Sequence, residues 1–317
     1  TISGSANNGG AYNYTVTTSG GCNPQAVANG SITVTGRPVL NYTVTRTVCD
    51  GSTLDFVLNS NLPGTTYTWS ATVSNITGDY SVTTSGTEAN INQVATLNND
   101  EAIGTITMII IPNANGCDGI PETVLITVNS NPVIESVSVT DNSVCSGSNV
   151  HVDIVGNISG ITYTWTAITS GVNVVGGTTS GTITATTSTT AGFDLQVVTS
   201  NPLVAGTIYF EVSAIRNGCP ALLIGQSNIV TVNPNPGTAI PSTDKTICSG
   251  FGADLMIDVS PLIAGTEIEW EVLTVVNVSG AVPGSGIAPQ PINDILTSTQ
   301  GGYVIYRVRT SLGDCQG

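Results

Sequence analysis

The segment Gly64-Thr-Thr-Tyr-Thr-Trp-Ser70 returns as Gly160-Ile-Thr-Tyr-Thr-Trp-Thr166 and, more loosely, as Gly265-Thr-Glu-Ile-Glu-Trp-Glu271. Three tryptophans therefore mark three copies of one unit. In the first copy Tyr67, Trp69, Ala71 and Val73 alternate with Thr66, Thr68, Ser70 and Thr72, the period of an extended strand with one apolar and one polar face. The third copy interleaves Ile268, Trp270 and Val272 with Glu267, Glu269 and Glu271, a pattern that only a half-exposed strand tolerates. Each such segment is expected to be the central strand of a β-sandwich, with Trp69, Trp165 and Trp270 in the cores.

Length supports the count, since 317 residues suit roughly three sandwiches of about 100 residues. Flanking motifs set the boundaries. Gly104-Thr-Ile-Thr-Met-Ile-Ile-Ile-Pro112, Asn115-Gly-Cys117 and Val124-Leu-Ile-Thr-Val-Asn129 read as a closing hairpin before Pro132. Gly10-Ala-Tyr-Asn-Tyr-Thr-Val-Thr-Thr18, Gly20-Gly-Cys22 and Gly30-Ser-Ile-Thr-Val-Thr35 follow the same grammar. Residues 1–40 are thus expected to be the C-terminal hairpin of a truncated domain. Residues 41–133 form a first whole sandwich, with strands at Leu54 to Asn59, Tyr80 to Thr84 and Ile91 to Leu97. Residues 134–236 form a second, with strands at Val150 to Val155, Asp194 to Thr199 and Thr207 to Ile215. Residues 237–317 form a third that lacks its last strand. The chain reads as a window cut from a longer array, either a mature product or an internal segment. Proline-bearing linkers such as Pro234 to Pro236 imply restricted joints.

Composition narrows the function classes. Six Lys and Arg against 21 Asp and Glu give a net charge of −15, which argues against nucleic acid or anionic lipid as a partner. The longest apolar run, Met108 to Ile111, is closed by Pro112 and falls far short of the roughly 20 residues of a membrane span. Thr, Ser, Asn, Gly and Val dominate, so almost no helix is expected.

Candidate sites are few. His151 and Asp153 share one strand face with no nucleophile motif beside them, so no catalytic residue is assigned. Asp100-Glu101 and Asp118 with Glu122 lack the Asp-x-Asp-x-Asp-Gly pattern of a calcium loop and read as solvated turn acids; neither a metal nor a cofactor is expected. Gly176-Gly177 and Gly301-Gly302 precede no helix and are turns, not phosphate cradles. Asn13, Asn29, Asn41, Asn75, Asn157 and Asn277 head Asn-x-Ser/Thr triplets, acceptors in principle only.

The combination of Cys-x-Gly, a Gly-x-x-Tyr-x-Trp strand, Asn-Gly-Cys and a closing Thr-Val-Asn-x-Asn-Pro resembles the PKD-like and immunoglobulin-like repeats of giant surface proteins in gliding bacteria with type IX secretion. Residues 1–34, with Thr1-Ile-Ser-Gly4, look like related putative-Ig repeats in such chains. The third copy departs, with Ile268 in place of Tyr and Gly313-Asp-Cys315 in place of Asn-Gly-Cys. The resemblance implies an all-β fold of tandem seven-stranded immunoglobulin/PKD-like sandwiches arranged end to end, and an extracellular adhesin or filament at the cell surface. Its expected partners are other domains of the same chain, copies of itself in a filament, and a surface or glycan ligand bound elsewhere. A pilus-like subunit polymerising by strand complementation and an ancillary carbohydrate-binding array are the alternatives.

Seven cysteines, with no Cys-x-x-Cys and one histidine, read as disulfides of an exported protein. Two schemes stand. Pairing within copies joins Cys49 with Cys117, Cys145 with Cys219 and Cys248 with Cys315. A standard sandwich, however, separates the turns before its second and last strands by about 20 Å at ~3.3 Å per residue. A disulfide needs α-carbons within about 7 Å. Pairing across junctions, Cys49 with Cys219 and Cys145 with Cys315, meets that limit and leaves Cys22, Cys117 and Cys248 with partners outside the window. A shifted strand would restore the first scheme. Lys245 is the only lysine, so a recurring lysine–asparagine crosslink is excluded.

Overall fold

A computed structural model describes residues 9–21, 24–41, 45–78, 85–99, 102–240 and 244–317. The described residues are all β, with no helix among them. The expected strand at Tyr80 to Thr84, the Asp100-Glu101 pair and Cys22 lie outside them. The chain divides into two compact units: Thr1–Asn131 with Arg216–Cys219, and Pro132–Ile215 with Pro220–Gly317.

In the first unit the tryptophan strand Thr66–Ser74 buries Tyr67, Trp69 and Ala71 and exposes the intervening Thr and Ser, as period two requires. It pairs antiparallel with Gly104–Ala114, which pairs in turn with the closing strand Glu122–Asn129. Thr45–Cys49 adds to the closing strand in parallel. Short strands at Ser52–Thr53, Ile76–Gly78 and Val94–Leu97 form an opposing sheet. Between them lies a core that includes Leu54, Phe56, Trp69, Ile91, Ile106, Met108, Ile110, Ile126 and Val128.

Two details depart from the sequence pattern. The expected strand Leu54 to Asn59 shrinks to Phe56–Val57, because Asp55 adopts φ 39° and breaks the extended run. Pro112 does not end its strand, which continues to Ala114. The Pro112 carbonyl accepts from Gly119 N at 2.8 Å. In an extended chain the nitrogen of that residue faces the same side, where the closing strand is interrupted, so the missing N–H costs no ladder bond.

The hairpin of Gly10–Thr17 and Val27–Val34 stands apart from this core. Its register, Gly10↔Val34 and Tyr12↔Ile32, repeats Gly104↔Val128 and Ile106↔Ile126, yet Tyr12, Val16, Val27 and Ile32 are exposed.

The second unit holds two further cores. In residues 134–236 one sheet runs Ile134–Val139, Asn149–Gly156, Thr190–Thr199, Val172–Val174, and the other runs Ser143–Cys145, Val230–Asn233, Gly206–Arg216, Ile161–Ser170, Ser180–Ala185. Tyr163, Trp165, Phe210, Val212, Ile154 and Val232 are packed between them. Trp165 stacks on Phe193 at 4.3 Å between centroids and meets Phe210 edge-on at 6.5 Å. In residues 244–317 the strand Glu267–Val276 lies between Gly284–Ile287 and Tyr303–Leu312, facing Leu255–Ser260 and Gln290–Ile292. The core there is smaller: Ile257, Val259, Ile268, Trp270, Ala288 and Ile292.

Candidate functional site

The most built feature among the described residues is the turn at the first cysteine of each copy, which in two copies follows a parallel strand. Cys49 ends Thr45–Cys49 opposite Asn129, and Asp50 N donates to the Asn129 carbonyl at 2.8 Å. Cys145 ends Ser143–Cys145 opposite Asn233, with Ser146 N donating to the Asn233 carbonyl at 2.8 Å. The next side chain locks the turn: Asp50 Oδ1 accepts from Leu97 N at 2.6 Å, Ser146 Oγ from Thr199 N at 3.1 Å, and Ser249 Oγ from Ser298 N at 3.0 Å. The second Asn of the Asn-x-Asn-Pro pattern caps it, Asn131 Nδ2 to the Asp50 carbonyl at 3.1 Å and Asn235 Nδ2 to the Ser146 carbonyl at 2.8 Å. A side-chain amide bridging two backbone segments is what fixes a proline-bearing joint that regular ladders do not reach.

The partner turns are equally regular. Asn115-Gly116 and Asn217-Gly218 all have left-handed φ (50° and 75°, 50° and 84°), the mirror turn that Asn-Gly favours between antiparallel strands. In the third copy Gly313 alone is left-handed, at φ 56°, so a glycine in the first turn position replaces the Asn-Gly pair.

Cys49 is bonded to Cys219 and Cys145 to Cys315, each with α-carbons 5.5 Å apart and each spanning 170 positions of the chain. The first bond lies within the first unit, the second within the second. Asn129 Nδ2 donates to the Asn217 carbonyl at 3.3 Å and Arg216 Nη1 to Ser130 Oγ at 3.3 Å beside the first bond. Beside the second, Thr310 Oγ1 donates to the Gly237 carbonyl at 2.7 Å. Cys117 and Cys248 carry no disulfide, and Cys248 is exposed.

Elsewhere the sequence candidates resolve into structure. His151 Nδ1 meets Asp194 Oδ1 at 2.8 Å and Nε2 meets Asp153 Oδ1 at 3.3 Å on an exposed sheet face. The hydrogen bond that the ring donates to Asp194 leads in raising the imidazole pKa. With both nitrogens held by carboxylates, this ring has no free nitrogen with which to take a proton from a nucleophile. Asp118 Oδ1 accepts from Asn113 Nδ2 at 2.7 Å, and no group of three metal-capable side chains occurs among the described residues. Asn75, in a left-handed conformation, spends its amide internally: Nδ2 donates to the carbonyls of Asn99 and Ala102 at 2.9 and 3.0 Å. Its triplet is therefore a turn device. No helix among the described residues is long and apolar enough to cross a membrane.

One repeated feature escaped the sequence reading. Each indole has a glycine directly across the ladder: Trp69 faces Gly86, Trp165 faces Gly181 and Trp270 faces Gly284. A Cβ at Gly181 would sit 2.8 Å from Trp165 Cζ2, so the ring occupies the space of the absent side chain. The three glycines are unevenly spaced from their tryptophans, which is why no motif marks them.

Residues 46–132 match the family model of the PKD-like domain. No curated protein matches the chain. Among solved structures, a run of titin domains is similar at 11% identity over 71% of this chain and 75% of that chain, with a TM-score of 0.38. The three N-terminal domains of the Highly Immunogenic Outer Capsid protein of bacteriophage RB49 are similar at 8% identity over 74% and 92%, with a TM-score of 0.35. Murine CEACAM1b is similar at 13% identity over 62% and 100%, with a TM-score of 0.29. The PKD-like domain and the disulfides are consistent with an extracellular protein, since such bonds persist in oxidising surroundings.

Proposed function

We propose that this chain is a structural, non-catalytic stalk segment of a bacterial cell-surface adhesin or filament, of the gliding-motility, type IX-secreted kind. It holds a distal binding region, for a surface or glycan ligand, away from the cell. Residues 1–40, 41–133, 134–236 and 237–317 are its successive domains. The observation that carries this reading is the pair of disulfides Cys49–Cys219 and Cys145–Cys315, each tying the first cysteine turn of one repeat to the closing hairpin of the next. Cys22, Cys117 and Cys248 extend the same ladder to neighbouring repeats. A bond placed there limits bending at the proline joint as well as unfolding. Closing a loop of this length is worth about 5 kcal/mol in the chain-entropy model, and removing a native disulfide commonly costs about 2–5 kcal/mol.

The test compares the oxidised chain with Cys49→Ser/Cys219→Ser and Cys145→Ser/Cys315→Ser double variants, in dilute solution. Small-angle scattering is expected to give an extended particle for the oxidised chain, with a broader distribution of end-to-end distances in each variant. Urea unfolding is expected to show each variant less stable by about 2–5 kcal/mol. A compact particle, or variants indistinguishable from the parent in both measurements, overturns the stalk reading.

A further inference from the structure

Among the described residues the sheets are open, so their outermost strands turn unpaired backbone groups toward water. In residues 134–236 the tryptophan-bearing sheet ends at Ser180–Ala185, which pairs with Ile161–Ser170 on one side only. Ala167 N donates to the Thr179 carbonyl at 2.7 Å, and bonded and non-bonded pairs alternate along an antiparallel ladder. The backbone groups of Gly181, Ile183 and Ala185 are thereby turned toward Ile161–Ser170. Those of Ser180, Thr182 and Thr184 are turned away from it.

The equivalent edges of the other two copies are guarded. In the first, the described ladder beside Trp69 is Ser85–Gly86, and Glu88 follows it, its carboxylate accepting from Thr87 N at 3.0 Å. In the third, Gly284–Ile287 is set between Pro283 and Pro289. Short length, charge and proline are the ordinary means by which an edge is kept from adding a strand. Ser180–Ala185 has none of them. No Asp, Glu, Lys, Arg or Pro occurs from Ile154 to Phe193, in a chain of net charge −15.

Charge also selects what can approach. The acid that this sheet carries, Glu211, is separated from Ser180 by Thr166. Two copies joined edge to edge hold their Glu211 residues roughly 24 Å apart, five strand spacings of ~4.8 Å, well beyond a screening length of about 8 Å. An acidic chain therefore meets its own kind at this edge without like-charge repulsion. We propose that Ser180–Ala185 is a self-pairing edge, and that its occupant is the same strand of a second copy, antiparallel about a two-fold axis through Thr182. In that register Thr182 pairs with its own counterpart and Ser180 with Thr184 of the other copy. Each outward N–H and C=O of these three residues then finds a ladder partner. Thr182 and Thr184 are exposed on one face, where cross-strand threonine pairs add to the stability of a sheet. The contact is isologous, closes at two chains and joins modules side by side. It depends on neither disulfide nor on the ends of the chain, so it stands apart from the stalk reading.

The test uses the 317-residue chain with Cys22→Ser, Cys117→Ser and Cys248→Ser, so that none of these thiols links copies. Sedimentation over a wide concentration range is expected to show a monomer–dimer equilibrium. Thr182→Pro removes an outward N–H without costing a bond to Ile161–Ser170, and is expected to weaken dimerisation at least tenfold with the urea midpoint unchanged. Thr182→Lys keeps every ladder bond but sets like charges directly opposite each other, and is expected to weaken it as much. Thr68→Lys, a charge on an exposed face of the first unit, is expected to leave it unchanged. Register is read by oxidation, because the α-carbons of a hydrogen-bonded antiparallel pair lie about 5.5 Å apart, within disulfide reach. Thr182→Cys is expected to give covalent dimers at least tenfold faster than Ser180→Cys. A chain that stays monomeric, or one whose dimer survives both Thr182→Pro and Thr182→Lys, overturns the edge as the contact. Crosslinking through Ser180→Cys as fast as through Thr182→Cys overturns the two-fold register.

Discussion

Gly206–Arg216 and Tyr303–Leu312 are counterparts in adjacent repeats, yet one is the most buried strand of its sandwich and the other is half open. Ile208, Phe210 and Val212 are 0% exposed, whereas Val304, Tyr306 and Val308 retain contact with solvent. Local pattern does not account for this, because both strands alternate correctly. What differs is the closing strand: Val230 and Val232 cover the first, whereas the second, whose Tyr306 and Val308 pack with Ala239 and Leu255 against the core, has no such strand beside it among the described residues. Burial of a strand is thus a property of its neighbours, and the same inward side chain carries different energetic weight in the two places. Tyr306 is half-buried but keeps a polar partner: its hydroxyl donates to Asp294 Oδ2 at 2.6 Å, and burial, then that bond, push its pKa far up.

The sharpest way to break this comparison is truncation at the two positions. Phe210→Ala is expected to cost about 3–5 kcal/mol in chemical denaturation, and Tyr306→Ala well under half of that, because its site is already partly hydrated. Equal losses would mean that the closing strand does not set the difference. Next in size is Gly181→Ala, which pushes a methyl into the Trp165 ring and is expected to cost about 1–3 kcal/mol, with a change in tryptophan fluorescence. An unaltered stability and spectrum would show that the indole has room to move.

The smallest effect concerns the wet face of the middle sandwich. The folded-state pKa of His151 is raised, so its ion pairing stabilises below the ordinary imidazole value of about 6.5 and that contribution is lost as pH rises through the folded value. At an exposed site the size is at most about 1 kcal/mol. Asp194→Asn is expected to bring the imidazole pKa back toward its ordinary value in an NMR titration; an unchanged titration would remove Asp194 as the leading cause.

Much of this was legible in the sequence. The alternation around Trp69, Trp165 and Trp270 marked the central strands, and Asn-Gly-Cys marked the hairpin turns, because both depend on residues within one strand or one turn. Strands that depend on partners were less visible. Ser180–Ala185 carries little apolar pattern and Val172–Val174 alternates over only three residues; they form because Ile161–Ser170 and Thr190–Thr199 offer them edges. The left-handed Asp55 cut short a strand that the apolar pattern alone would have extended.

Periodicity, turn chemistry and the placing of cysteines are short-range properties, so the order of residues alone determined that this chain makes repeated two-sheet modules with oxidisable turns. Which glycine lies under which indole, and how much of each strand is sealed, were decided only in three dimensions. Those outcomes rest on pairings between segments far apart in the chain, and a side chain's worth there is set by what the distant strand brings to cover it.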